Sequence, residues 1–263
     1  MSSAGRGPTP TILAMGGGGF TSPPGDPALD ELVLELCGRR EPRILFLPTA
    51  SGDPNEQIAA FHATYGRRAA LATVLSLFRR HGDARTLREI VLAHDVIYVG
   101  GGSLRNLLAI WVAHGLDIVL REAWESGIVL AGLSAGAMCW FEGGVTKSFG
   151  PPDVNPGLGF LPGSLSVHAD GEPERLPVWL EAVRTGALPG GWAADDGVGL
   201  VFEGTDLKRV VSARPGTAAV RVDAVGGELV RTRIEPELLG AGPLGTRPLP
   251  DDIKEWRRTR YGR

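Results

Sequence analysis

Cysteine is scarce in this chain. Two residues of 263, Cys37 and Cys139, are too few for a disulfide framework. Neither belongs to a C-x-x-C pair, and no histidines cluster, so the spacing of a structural zinc site is missing. No apolar run reaches the ~20 residues that span a bilayer. Residues 1–10 lack a hydrophobic signal core, which makes the reducing cytoplasm the expected location. A surplus of one charge is lacking as well. The formal net charge of −3 gives no electrostatic case for nucleic acid or an anionic membrane. The Gly-Lys-Ser/Thr ending of a phosphate loop and the G-x-G-x-x-G dinucleotide fingerprint are both absent.

What the chain has in quantity is glycine, 38 residues, gathered where apolar runs end. The length suffices to bury a full core without covalent staples. Up to about residue 190, strand and helix patterns alternate. Thr11–Met15 is an apolar run ending in Gly16-Gly17-Gly18-Gly19, and Asp26 with Pro27 opens a helix carrying Leu29, Leu32, Val33 and Leu36. Arg43–Leu47 is the next strand, and Asp53, Pro54 and Glu56 have the spacing of a helix start with a capping box. A strand over Leu71–Phe78 and a helix over Ala84–Ala93 follow. Asp95–Val99 runs into Gly100-Gly101-Gly102, and Ser103 caps a helix bearing Leu104, Leu107, Leu108 and Trp111. Leu116–Ser126 is the helix before the run Ile128–Ala131. This alternation predicts an α/β fold with a mostly parallel sheet flanked by helices, whose sites gather at the carboxyl ends of strands. Four short segments, Gly197–Phe202, Arg209–Ala213, Ala218–Asp223 and Glu228–Ile234, read as antiparallel additions. The expected organisation is a flexible start over 1–10, one domain over 11–239 and a Gly-, Pro- and Arg-rich tail over 240–263.

The stretch with most chemistry is Gly132-Leu133-Ser134-Ala135-Gly136-Ala137. A buried strand turning sharply through a serine into a helix is a nucleophile elbow. Its small neighbours prevent a clash across the turn, and the N–H of Ala135 at the helix start can donate to an oxyanion. The plainer alternative is a glycine-rich turn with an incidental serine. A serine nucleophile needs a base. His62, His81, His94 and His114 fall in helices or beside loops and read as structural or solvated. His168 follows Leu165-Ser166-Val167 at a strand end, after the elbow, and is the candidate base. Asp195 and Asp196 precede a strand, and either could orient the imidazole. The chain order Ser, His, Asp disfavours an ordinary α/β-hydrolase. Gly101 or Gly102 is the expected second oxyanion donor. The run at 16–19 reads as a mobile rim of the cleft, and Cys139 as a buried small hydrophobe.

Three segments in order carry a resemblance to peptidase family S51, the peptidase E and cyanophycinase group: Tyr98-Val99-Gly100-Gly101-Gly102-Ser103, the elbow 132–137, and Gly157-Leu158-Gly159-Phe160-Leu161-Pro162 leading to Val167-His168. The likeness spans roughly residues 10–225. It implies a flavodoxin-like sheet similar to class I glutamine amidotransferases, and a serine peptidase without metal or cofactor. Ser134 would be the nucleophile, His168 the base and Asp196 the third member, with Asp195 as the alternative. Gly101 or Gly102 and Ala135 would hold the oxyanion. Ser103 stands where the family has asparagine, and Val167 where many members have proline. A dipeptidase that prefers an N-terminal aspartate needs a cation in its pocket, for which Arg175 is the candidate beside its alternative as a helix surface residue. The expected partner is a short peptide, with no nucleic acid and no membrane; a homodimer is left open. The rival functions are a cyanophycinase-like peptidase of β-linked aspartyl-arginine, a catalytically silent peptide- or metabolite-binding module and, as a weaker alternative, an esterase.

Overall fold

The computed structural model describes residues 9–21, 27–79, 84–148 and 150–240. The expected helix cap Asp26, His81, most of the segment 1–10 and the tail from residue 241, with its Lys254, Arg257, Arg258, Arg260 and Arg263, lie outside the described residues. The chain runs β1 (Thr11–Met15), α1 (Ala28–Leu36), β2 (Arg43–Leu47), α2 (Asn55–Tyr65), β3 (Leu71–Val74), α3 (Leu87–Leu92), β4 (Val96–Val99), α4 (Leu104–His114), α5 (Leu116–Glu125) and β5 (Val129–Leu133). It continues through α6 (Ala135–Met138), β6 (Phe141–Thr146), β7 (Asp153–Pro156), β8 (Leu161–Ser166), α7 (Arg175–Arg184), β9 (Gly191–Ala194), β10 (Val198–Glu203), β11 (Asp206–Ser212), β12 (Ala219–Val225), β13 (Glu228–Ile234) and β14 (Glu237–Leu238).

The main sheet has the order β14-β11-β10-β1-β5-β4-β2-β3. Strands β1, β5, β4, β2 and β3 are parallel, and β10 closes onto β1 in antiparallel register. Strands β1, β4 and β5 are buried along their whole length, as befits central parallel strands covered on both faces. Alternation along β1 sends Ile12 and Ala14 to one face and Leu13 and Met15 to the other. Helices α1 and α2 cover the second face with Leu29, Val33, Phe61 and Tyr65, while α3, α4 and α5 cover the first with Ile90, Trp111 and Leu120. The mostly parallel flanked sheet expected from the alternation is therefore present.

A second sheet is an addition to that expectation. It has the order β13-β12-β9-β8-β6-β7, and β6, β8 and β9 within it are parallel. Of the four late segments, two join the main sheet as β10 and β11 and two join this one as β12 and β13. Its inner face delivers Phe141, Leu161, Leu165 and Val167 to the same core as Ile12 and Leu130. Helix α7 covers its outer face through Trp179 and Val183.

Local chemistry explains where helices start. Thr86 and Glu89 form a reciprocal capping box on α3, and Ser103 Oγ accepts the N–H of Asn106 on α4. The capping box expected of Asp53, Pro54 and Glu56 does not form. Helix α2 starts at Asn55, extended Pro54 occupies the cap position, and Asp53 lies one residue too early with φ 58°. Burial raises the pKa of its carboxyl group, with Ser76 and Arg79 pulling the other way. The strand expected over Leu71–Phe78 stops at Val74.

Candidate active site

Strands β1, β5 and β4 end side by side, and their following turns meet. The backbone of Ser134 (φ 53°, ψ −117°) lies outside the ordinary regions for a side-chain-bearing residue. Such strain costs about 1–3 kcal/mol and persists only where the surroundings impose it. They do so here through two glycines. A Cβ at Gly132 would stand 2.0 Å from the carbonyl oxygen of Gly136, and one at Gly136 would stand 2.4 Å from that of Val99. Met15 O accepts the N–H of Ser134 at 3.0 Å, which ties the elbow to β1.

The second sheet brings the histidine. His168 follows β8 with φ 53°, and its carbonyl accepts the N–H groups of Gly171 and Glu172 in a tight turn. Its Nε2 lies 2.9 Å from Ser134 Oγ and its Nδ1 lies 2.5 Å from Asp196 Oδ1. Three side chains from three segments thus form one hydrogen-bonded line. The hydrogen bond from His168 is the main influence holding the Asp196 carboxyl below its usual range, with Arg214 and Arg175 assisting against burial. Asp170 Oδ1 accepts the N–H of Asp196 at 2.9 Å and fixes the turn that carries it.

The two aspartates separate cleanly. Asp195 Oδ2 accepts the N–H of Ala218 at 2.8 Å, and burial raises its pKa. It braces the entry to β12 rather than meeting the imidazole. Gly101 comes nearest the serine of the two candidate glycines. A Cβ there would be 3.3 Å from Ser134 Cβ, whereas Gly102 (φ 140°) packs on the carbonyl of Ala50. Ala135 opens α6 fully buried beside the serine. Ser103 Oγ is engaged in capping α4. Arg175 is a buried residue at the start of α7, 6% exposed, and not the surface residue of the alternative reading. Its Nη2 meets Glu172 at 2.9 Å, and its Nε and Nη1 have no hydrogen-bond partner.

The other histidines stand apart from this line. His94 is held between Thr73 Oγ1 and the carbonyl of Ile90, and His62 and His114 are exposed. Cys139 is fully buried, as expected, with Sγ against the carbonyl of Gly136. The glycine run at 16–19 differs from its expected place on the rim. Gly16 and Gly17 are buried, and Gly17 abuts the His168–Asp196 pair. The signal for this was its position directly after β1, whose neighbour β5 carries the elbow. Among the described residues, no group of three or more His, Cys, Asp or Glu side chains could hold a metal ion. Nor is any described helix long and apolar enough to cross a membrane.

A strand–helix elbow at the carboxyl end of a parallel sheet defines the class of hydrolase to which the comparisons point. The family model described as Peptidase family S51 matches residues 12–210, and the chain belongs to that family. It is 45% identical over 229 residues to YgaJ of Bacillus subtilis (strain 168), described as an uncharacterised peptidase, covering 87% of this chain and 99% of that protein. The fold matches the crystal structure of a peptidase from an acI-B1 Actinobacterium with a TM-score of 0.68 at 20% identity, over 87% of this chain and 95% of the other. It also matches a structure described as a peptidase E protein of Listeria monocytogenes EGD-e, with a TM-score of 0.52 at 15% identity, over 86% of this chain and all of that one.

Proposed function

We propose that this S51 peptidase is a serine exopeptidase of short peptides. Ser134 is its nucleophile, His168 its general base and Asp196 the acid that orients the imidazole. The observation that carries the reading is the unbroken line from Ser134 Oγ through both ring nitrogens of His168 to Asp196. In this mechanism His168 Nε2 takes the Ser134 proton as Oγ attacks the scissile carbonyl. The tetrahedral oxyanion is held by the N–H groups of Ala135 and Gly101, a kind of donor whose loss typically costs ~10²–10³ in rate. The imidazolium then protonates the departing amine, and the acyl-enzyme is hydrolysed by water with the same base. Asp196, kept ionised by its surroundings, stabilises the imidazolium that forms between these steps. No step calls on a metal or cofactor.

Arg175 supports a preference for an N-terminal aspartate. A buried guanidinium with two nitrogens unpartnered is costly, and a substrate carboxylate would relieve it with a charge-assisted hydrogen bond. The test is a panel of X-Leu dipeptides including Asp-Leu, run beside Ser134→Ala. Serine-dependent cleavage of Asp-Leu above its neutral counterparts is the expected result. Activity confined to β-linked aspartyl-arginine would redirect the substrate to the cyanophycin type. Undiminished turnover by Ser134→Ala would overturn the mechanism.

A further inference from the structure

We infer that Gly17 is a positioning residue whose missing side chain sets how closely Asp196 and His168 approach, an inference that rests on the roles proposed above. A Cβ at this position would stand 2.0 Å from Asp196 Oδ1, 2.8 Å from His168 Cε1 and 2.9 Å from His168 Nδ1. A methyl group would therefore occupy the space of the hydrogen bond itself. The demand is for room and not for an unusual backbone, since Gly17 is not among the residues with positive φ.

The segment cannot yield by backing away. Met15 O, Gly16 O and Gly17 O accept in turn the N–H groups of Ser134 (3.0 Å), His168 (3.3 Å) and Gly197 (3.0 Å), while the Gly16 N–H donates to Val198 O (2.9 Å). Three consecutive peptides of one segment thus tie down the serine, the histidine and the residue after Asp196. Just beyond, Phe20 sits in a ring cluster 5.4 Å from Phe46, 5.9 Å from Phe61, 6.0 Å from Tyr65 and 5.1 Å from Tyr98. Gly16 is itself closed in, because a Cβ there would lie 2.4 Å from the carbonyl oxygen of Asp195. With the backbone held on both sides, an alanine at 17 must displace the carboxylate or the imidazole by about 1 Å, and misplacement on that scale costs on the order of 10²-fold in rate. The opposite side of the carboxylate is roomier. A Cβ at Gly171 would stand 3.6 Å from Asp196 Oδ2, an ordinary contact.

The experiment compares Gly17→Ala, Gly171→Ala, Asp196→Ala and the double variant Gly17→Ala/Asp196→Ala by kinetics, thermal melting and proton NMR. Gly17→Ala is expected to lower kcat about 10²-fold with KM little changed. It should also abolish the strongly deshielded His168 Nδ1 proton of a histidine–carboxylate pair, while Gly171→Ala keeps the signal. In the Asp196→Ala background the same alanine should cost little further activity or stability, because the nearest atom it strikes is gone and the imidazole can move into the space the carboxylate leaves. Wild-type kcat with the deshielded proton intact in Gly17→Ala would overturn the inference, as would losses that add in full in the double variant. If Gly17→Ala does not fold, recovery of a cooperative melt in the double variant supports the inference and continued failure to fold overturns it. Turnover surviving Ser134→Ala would sink the mechanism above, yet the NMR signal and the melting cycle would still read this coupling, so the two failures are distinguishable.

Discussion

Asp195 and Asp196 are chemically identical neighbours with opposite environments. Asp196 has its pKa lowered by the His168 hydrogen bond, so it stabilises the fold above the ordinary carboxylate range, about pH 3.9. That contribution is lost as pH falls through its depressed native value. Asp195 has its pKa raised by burial, so its ionised form opposes folding at neutral pH, and the penalty fades as pH falls. Asp196→Asn is expected to lower kcat by about 10⁴-fold, the effect of leaving the histidine in the wrong tautomer. Asp195→Asn should keep wild-type turnover and melt no lower than wild type at pH 7, its amide oxygen still accepting the Ala218 N–H. Steady-state kinetics and melts at pH 7 and pH 4 check both. The sequence exposed the pair and the histidine but not which aspartate faces it. That choice depends on which way each side chain leaves the turn, which is fixed by Asp170 and by the distant Ala218.

At the scale of elements, the elbow was legible because its glycines answer a local demand. The close contacts of Gly132 and Gly136 involve β5, α6 and the end of β4, and any residue with a Cβ breaks them. Gly136→Ala is expected to lose both stability and turnover, seen as a lower urea midpoint together with a fall in kcat. Thr86→Ala is the contrasting case. It removes the α3 capping box, should cost about 1 kcal/mol, and should leave kcat/KM unchanged, since α3 contributes no residue to the site. Helix α2 was the misread element. The Asp53-Pro54-Glu56 spacing suits a cap, yet the helix starts at Asn55 and the chain uses Asp53 to turn at positive φ. Pattern alone does not reveal such a shift by one residue, because it belongs to the turn before the helix, where the Asp53 N–H donates to Pro48 O at 3.3 Å.

At the scale of the whole molecule, the site is assembled from two sheets, and the second was not evident from the sequence. Its strands are short and separated by turns, and β6 and β8 pair in parallel with β7 lying between them in the chain. Such non-local pairing leaves no periodic signature. Yet β8 delivers His168, and the joint between the sheets is apolar, with Leu165 fully buried against the core that includes Ile12 and Leu130. Leu165→Ala is expected to cost about 2–5 kcal/mol. The unfolding of wild type and variant should each remain a single cooperative transition by fluorescence and circular dichroism. Two separated transitions would mean that the sheets fold independently, contrary to one domain over 11–239.

The most direct test of the central proposal is covalent. The native protein would be treated with a fluorophosphonate and its adduct located by mass spectrometry, beside Ser134→Ala and His168→Ala. One adduct on Ser134 is the expected result, absent in Ser134→Ala and slowed by about 10²–10⁴-fold in His168→Ala. A native protein that takes no label, or a Ser134→Ala variant that labels as fast as wild type, would contradict the assignment of Ser134 as nucleophile.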